Sequence, residues 1–275
     1  MKKRFVIIPI IIATVFILCL FFGKDLANAV LLKETAISYT AGEEKEVRLK
    51  KGDYVIFGKH LGEPVIWLVV DIEDGRPLLQ TKHIIDFKAF DATGDGDSDT
   101  KALGSSDFES STLRLWLNSG DTVSYISSAP TEDFVLNGKN AYADEKGFLC
   151  TENFTPEEKN LIAEDGVFLL SQEQISTLVP KELRVKTATK SALLKDESSY
   201  IFTSGKGVWY WTSSPIAANR TSVATVTSAG GFYKASAFDG VTGVCPAVFL
   251  KTEKAVAVWG NGSEQKPFVI TEVSR

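Results

Sequence analysis

The chain has 275 residues, 44% of them apolar and 24% charged, which suits a globular protein and excludes wholesale disorder. Residues 1–29 hold Lys2, Lys3, Arg4 and Lys24 against Asp25, a net of +3, so the formal total of −5 leaves −8 on residues 30–275. A body that acidic repels nucleic-acid phosphates and anionic headgroups, and no basic stripe interrupts it, so nucleic-acid binding is excluded.

Lys2-Lys3-Arg4 precedes an uncharged apolar run over residues 5–22. As a helix that run would reach about 27 Å, just short of a hydrocarbon core of ~30 Å. The cations hold the N-terminus in the cytoplasm and send the remainder out. Ala27-Asn28-Ala29 offers a small-x-small cleavage site, whereas the long run and the Lys24-Asp25 pair argue for an uncleaved membrane anchor. Either outcome exports the chain. The expected division is a signal peptide or anchor over 1–29, a tether or peripheral strand over 30–46, and one domain over 47–275. In the exported part, Cys150 and Cys245 permit one disulfide in an oxidising compartment, or else act as two buried thiols.

The first expected strand is Tyr54-Val55-Ile56-Phe57, and the continuous run at residues 65–70 suits a strand covered on both faces. Asp74-Gly75 is a strong hairpin signal, returning through Leu78-Leu79-Gln80. Residues 86–108 lose periodicity and fill with Asp, Gly, Ser and Thr, which predicts a loop. Leu113, Trp116 and Leu117 then fall at i, i+3, i+4, predicting a short helix over 111–119. Thr155-Pro156-Glu157-Glu158 and Ser171-Gln172-Glu173-Gln174 are capping-box helix starts, with a buried strand at 167–170 between them. Residues 209–250 alternate apolar runs with Gly and Pro breaks, the pattern of short strands and tight turns. Two more strands close the chain at 255–259 and 268–270.

Asp91, Asp95, Asp97 and Asp99 offer hard oxygen donors at odd spacing, a pattern that suits Ca²⁺. Thr93 and Ala102 stand where an EF-hand-like loop would place ligands, so a solvated acidic loop is the competing reading. His60 and His83 sit beside no nucleophile or metal motif and are expected at the surface; no hydrolase, phosphate-loop or zinc pattern is present. The aromatics are mostly expected in the core, but Trp209-Tyr210-Trp211 puts consecutive rings on opposite strand faces, so the alternative is an exposed Tyr210 that stacks on a sugar ring or anchors a protein partner.

Taken together, Gly52-Asp53-Tyr54-Val55-Ile56-Phe57-Gly58, Pro64-Val65-Ile66-Trp67, the run Ser111–Asn118 with Leu113, Arg114 and Trp116, Trp211-Thr212-Ser213-Ser214-Pro215 and Gly243-Val244-Cys245-Pro246-Ala247 resemble an uncharacterised domain family of bacterial secreted and surface proteins. The likeness covers roughly residues 47–252. The family usually has Arg where Cys245 stands and Leu-Arg where Thr212-Ser213 stands. That family is similar in turn to C-type-lectin-like folds, which implies an α+β arrangement: a twisted antiparallel sheet with two or three flanking helices, here preceded by the N-terminal apolar helix. The Ca²⁺ motifs of sugar-binding C-type lectins are absent, since Val65 follows Glu63-Pro64 and Gly260 follows Trp259. The expected function is a cell-surface binding module for a glycan or protein, with a face built from Asp91–Asp99, Tyr210, Asn219, Arg220, Tyr233 and Asp239. An extracellular enzyme acting on glycans and a structural spacer are the alternatives.

Overall fold

The computed structural model describes residues 44–92, 97–123, 142, 145–195 and 207–271. The apolar run at 5–22, the cleavage site at 27–29 and Asp95 lie outside them. Among the described residues no helix is long and apolar enough to cross a membrane.

Strands come first: β1 (Lys45–Arg48), β2 (Tyr54–His60), β3 (Glu63–Glu73), β4 (Arg76–Thr81) and β5 (Asp86–Phe87). The middle of the chain carries helices α1 (Ser98–Leu103), α2 (Thr112–Asn118) and α3 (Pro156–Leu161), strand β6 (Ile162–Phe168), then α4 (Gln172–Leu178) and α5 (Lys190–Lys195). Strands β7 (Tyr210–Ile216), β8 (Asn219–Val226), β9 (Phe232–Ser236), β10 (Gly243–Val244), β11 (Ala247–Leu250), β12 (Lys254–Trp259) and β13 (Phe268–Thr271) follow. They assemble into an eight-stranded sheet, β1-β12-β13-β2-β3-β4-β11-β6, and a five-stranded sheet, β5-β10-β7-β8-β9.

This β-rich architecture overturns the expected C-type-lectin-like α+β fold. Each α-helix has only six or seven residues, too short to form a layer against a sheet. The sheets are two rather than one, and they are not purely antiparallel: β13 runs parallel to β2, and β10 parallel to β7. The likeness of motifs concerned single strands and turns, and such motifs do not fix how distant strands are paired. β1 also begins inside the expected tether, pairing Lys45–Arg48 with β12.

Local chemistry explains the elements. Asp74 and Gly75 both have positive φ, as the Asp-Gly turn demands, and Glu73 pairs with Arg76 across the hairpin. Ser111 Oγ accepts from Arg114 N at 3.1 Å to start α2, and both expected capping boxes form. The long apolar run in β3 is divided between two cores. Val65, Trp67 and Val69 join Val55, Phe57, Trp116, Trp211 and Val248 on one face. Leu68 and Val70 join Tyr54, Leu78, Tyr210, Val226 and Cys245 on the other. Asn118 ties α2 to β6: its Nδ2 donates to Val167 O at 2.8 Å, and its Oδ1 accepts from Val167 N at 2.9 Å.

A set of charges is enclosed beside the first core. Asp86 and Lys88 are essentially inaccessible to solvent, and His60 is buried with them, which corrects the surface placement expected of that histidine. His60 Nε2 lies 3.0 Å from Asp86 Oδ2. Lys195 Nζ donates to both Asp86 oxygens, at 2.9 and 3.2 Å, and pairs with Glu145. Lys88 Nζ donates to Glu145 at 2.7 Å and sits 3.6 Å from Asp86, over the rings of Trp116 and Tyr142. Burial alone would raise the Asp86 carboxyl, but Lys88, Lys195 and the His60 bond hold it well below the usual carboxylate range. Burial pulls the Lys88 ammonium down, while Asp86 and Glu145 outweigh burial at Lys195 and push it up. His83 is half-buried against Thr187, and burial and then the nearby Lys82 lower its pKa.

Candidate functional site

Asp91 and Asp97, from the segment that follows β5, both line a groove. Asp97 caps α1, its Oδ1 accepting from Thr100 N at 3.1 Å. That bond, and then the Arg220 guanidinium 2.5 Å from Asp97 Oδ2, lower the carboxyl below its usual range. Asp91 is buried and already occupied. Its Oδ2 accepts from Ser105 N at 2.8 Å, and its Oδ1 accepts from Thr112 Oγ1 at 3.0 Å and Thr112 N at 3.3 Å. Asp99 is exposed in the first turn of α1. Of the Asp carboxylates expected to share Ca²⁺, Asp91 and Asp97 thus bond to different partners. Among the described residues no group of three or more acidic, His or Cys side chains could hold a metal.

The groove has a volume of about 1030 Å³. Ser105, Asp107, Glu109 and Ser110 line it from the segment between α1 and α2, and Arg114 from α2 itself. Asp165 and Phe168 of β6, Gln174 of α4, Ser213 and Pro215 of β7, Arg220 of β8 and Phe249 of β11 complete the wall. The groove thus draws on both sheets. Its ionic groups come in fixed pairs. Arg114 Nε lies 3.0 Å from Glu109 Oε2, and Arg76 Nη1 lies 2.8 Å from Asp165 Oδ2 with its guanidinium 4.7 Å from the Phe249 ring. Asp107 instead accepts from Ser110 Oγ at 2.8 Å and from Glu109 N at 3.2 Å. Phe108, Phe168 and Phe249 supply apolar surface between these polar groups.

The other expected ligand residues are scattered. Tyr210 is fully buried, not exposed; its ring faces the second core, and burial pushes its hydroxyl pKa upward. The outward aromatic of that trio is Trp209, which meets the exposed Tyr233 edge-on at 5.6 Å, away from the groove lining. Asn219 serves its own turn, accepting from Thr221 N and Oγ1. Asp239 likewise braces a turn through Val241 N and Thr242 Oγ1, and burial raises its carboxyl. Of the expected residues, Arg220, Asp91 and Asp97 meet at the groove. Cys150 and Cys245 are free, buried thiols, so the disulfide expected between them is not formed; Cys245 Sγ lies instead against Thr81.

Sequence reasoning missed Asp107, Glu109, Arg114, Asp165 and Gln174. The first two lay in or next to the segment read as a loop, and their charge was the available signal. Asp165 and Gln174 come from a part of the chain that no spacing rule connects to residue 107. No curated protein matches the chain, and no solved structure does. A family model described as a domain of unknown function matches residues 74–252, and the chain belongs to that family, DUF6273.

Proposed function

We propose that the domain is a binding module displayed outside the cell and that its groove takes a glycan. The observation that carries this reading is the make-up of the groove, which Phe108, Phe168 and Phe249 line together with carboxylates, guanidinium groups and serine hydroxyls. Sugar rings present C–H faces that pack on aromatics and hydroxyls that bond to charged acceptors and donors. The pairs Glu109–Arg114 and Asp97–Arg220 put two guanidinium groups beside carboxylates at the groove, donors and acceptors that sugar hydroxyls can use. A concave surface of this size also favours a binding role over a plain spacer. Display outside the cell rests on Lys2-Lys3-Arg4 and the apolar run at 5–22.

An enzyme acting on glycans is the second reading, favoured by Asp107, Glu109 and Asp165 among the residues that line the groove. The test is a glycan array probed with the full chain, followed by titration of the hits against Asp107→Asn and Arg220→Ala. Losing a bond to a charged group costs about 1.5–3 kcal/mol, so affinity should fall tenfold or more in each variant. Unchanged affinity in both would remove the groove from the account. Release of new reducing ends from a bound oligosaccharide would establish the enzyme reading instead.

A further inference from the structure

Lys186 is buried to 3% exposure, in a segment leading into α5. A core ammonium is ordinarily answered by a carboxylate. Burial lowers the pKa of Lys186, and among the described residues the Cys245 thiol is the group that opposes this shift. Geometry brings the two together at one carbonyl. Lys186 Nζ donates to Thr81 O at 2.6 Å, and Cys245 Sγ donates to the same oxygen at 3.4 Å. A third group faces this enclave. The Tyr210 ring lies 6.0 Å from Lys186 Nζ, and its buried hydroxyl has no hydrogen-bond partner among the described residues.

We propose that Lys186 and Cys245 form an oxidation site at which a peroxide joins their side chains through a nitrogen–sulfur bond. In the first step the Cys245 sulfur attacks one peroxide oxygen; the O–O bond breaks, the thiol becomes a sulfenic acid and one water leaves. Peroxide is the oxidant, taking two electrons from sulfur. In the second step the neutral Lys186 amine attacks the sulfenic sulfur, an N–S bond forms, and the S–OH oxygen departs with the amine proton as a second water. This is the condensation that sulfenic acids undergo with nearby nitrogen. Burial lowers the Lys186 pKa and so favours the uncharged amine that the second step requires. At Cys245 burial pushes the thiol up, and Lys186 is the largest influence opposing it.

The experiment treats the folded full-length protein with hydrogen peroxide, blocks free thiols after denaturation, and maps tryptic peptides by mass. The expected product is a joined peptide pair containing Lys186 and Cys245, about 2 Da lighter than the sum of its parts, uncleaved after Lys186 and separated by dithiothreitol. Lys186→Arg keeps a cation but not the primary amine, and should lose the joined pair while Cys245 proceeds to sulfinic acid. If that variant fails to fold, the wild-type map still decides. A Cys245 thiol that stays free, a sulfinic acid there with Lys186 cleaved normally, or a Cys150–Cys245 disulfide would each overturn the proposal.

Discussion

Replacing Asp86 by asparagine removes one negative charge from a buried set that is balanced only while that charge is present. Asp86 and Glu145 offset Lys88 and Lys195 with His60 counted neutral; the variant leaves one positive charge unanswered. Asparagine keeps an oxygen for Phe87 N, which Asp86 Oδ1 holds at 2.8 Å, so shape and the local backbone bond are preserved and the charge is what changes. Removing one member of a buried pair costs about 3–5 kcal/mol. Lys88 keeps its 2.7 Å bond to Glu145, which places the loss near the lower end, about 3 kcal/mol. For a domain of this size that corresponds to a fall in Tm of roughly 6–12 °C. Urea unfolding followed by tryptophan fluorescence reads it directly, since Trp67, Trp116 and Trp211 are all in the core. Adding Lys88→Met to the variant should restore part of the loss, because Lys195 and Glu145 still pair. A loss below about 1 kcal/mol, the range of exposed ion pairs, would refute the reasoning.

The same carboxyl sets an acid limit. Its folded-state pKa is depressed below the unfolded value of about 3.9, so its stabilisation is present above that pH and is lost as pH falls through the folded value. Urea midpoints measured downward from pH 5 should therefore fall more steeply for the wild type than for Asp86→Asn; parallel curves would contradict this. Gly58→Ala meets the Phe154 ring at 2.1 Å and has φ of +68°, so strain and overpacking together should cost about 2–4 kcal/mol. Gly62→Ala, at φ +84° in open space, bears the backbone strain alone, about 1–2 kcal/mol; equal midpoints for the two variants would show that the Phe154 contact does not matter. Asn118→Ala loses both bonds to Val167 and should cost about 1–3 kcal/mol by the same denaturation assay.

Local features were legible in the chain, and their assembly was not. The Asp74-Gly75 turn, the capping boxes at Thr155 and Ser171, and the Leu113, Trp116, Leu117 stripe depend on neighbours within a few residues, and each forms as its chemistry requires. Alternation showed that Tyr210 and Trp211 face opposite ways, but which face is covered depends on strands far away in sequence. Both are covered, and Trp209, just before β7 begins, reaches the surface instead. Nothing near Lys88 or Lys186 in sequence reveals Glu145, Trp116 or Cys245 as neighbours in space. The aspartates from 91 to 99 carried a real signal of position. Asp97 caps a helix and pairs with Arg220, Asp91 braces Ser105 and Thr112, and the groove these two line also takes residues from β6, β7 and β11.

The claim that the groove is the ligand site is tested most directly by hydrogen exchange on the full chain, with and without the best glycan from the array. Slower exchange concentrated in peptides covering residues 105–114 and 213–220 is the predicted result. Protection confined to peptides around Trp209 and Tyr233, with the groove segments unchanged, would contradict it.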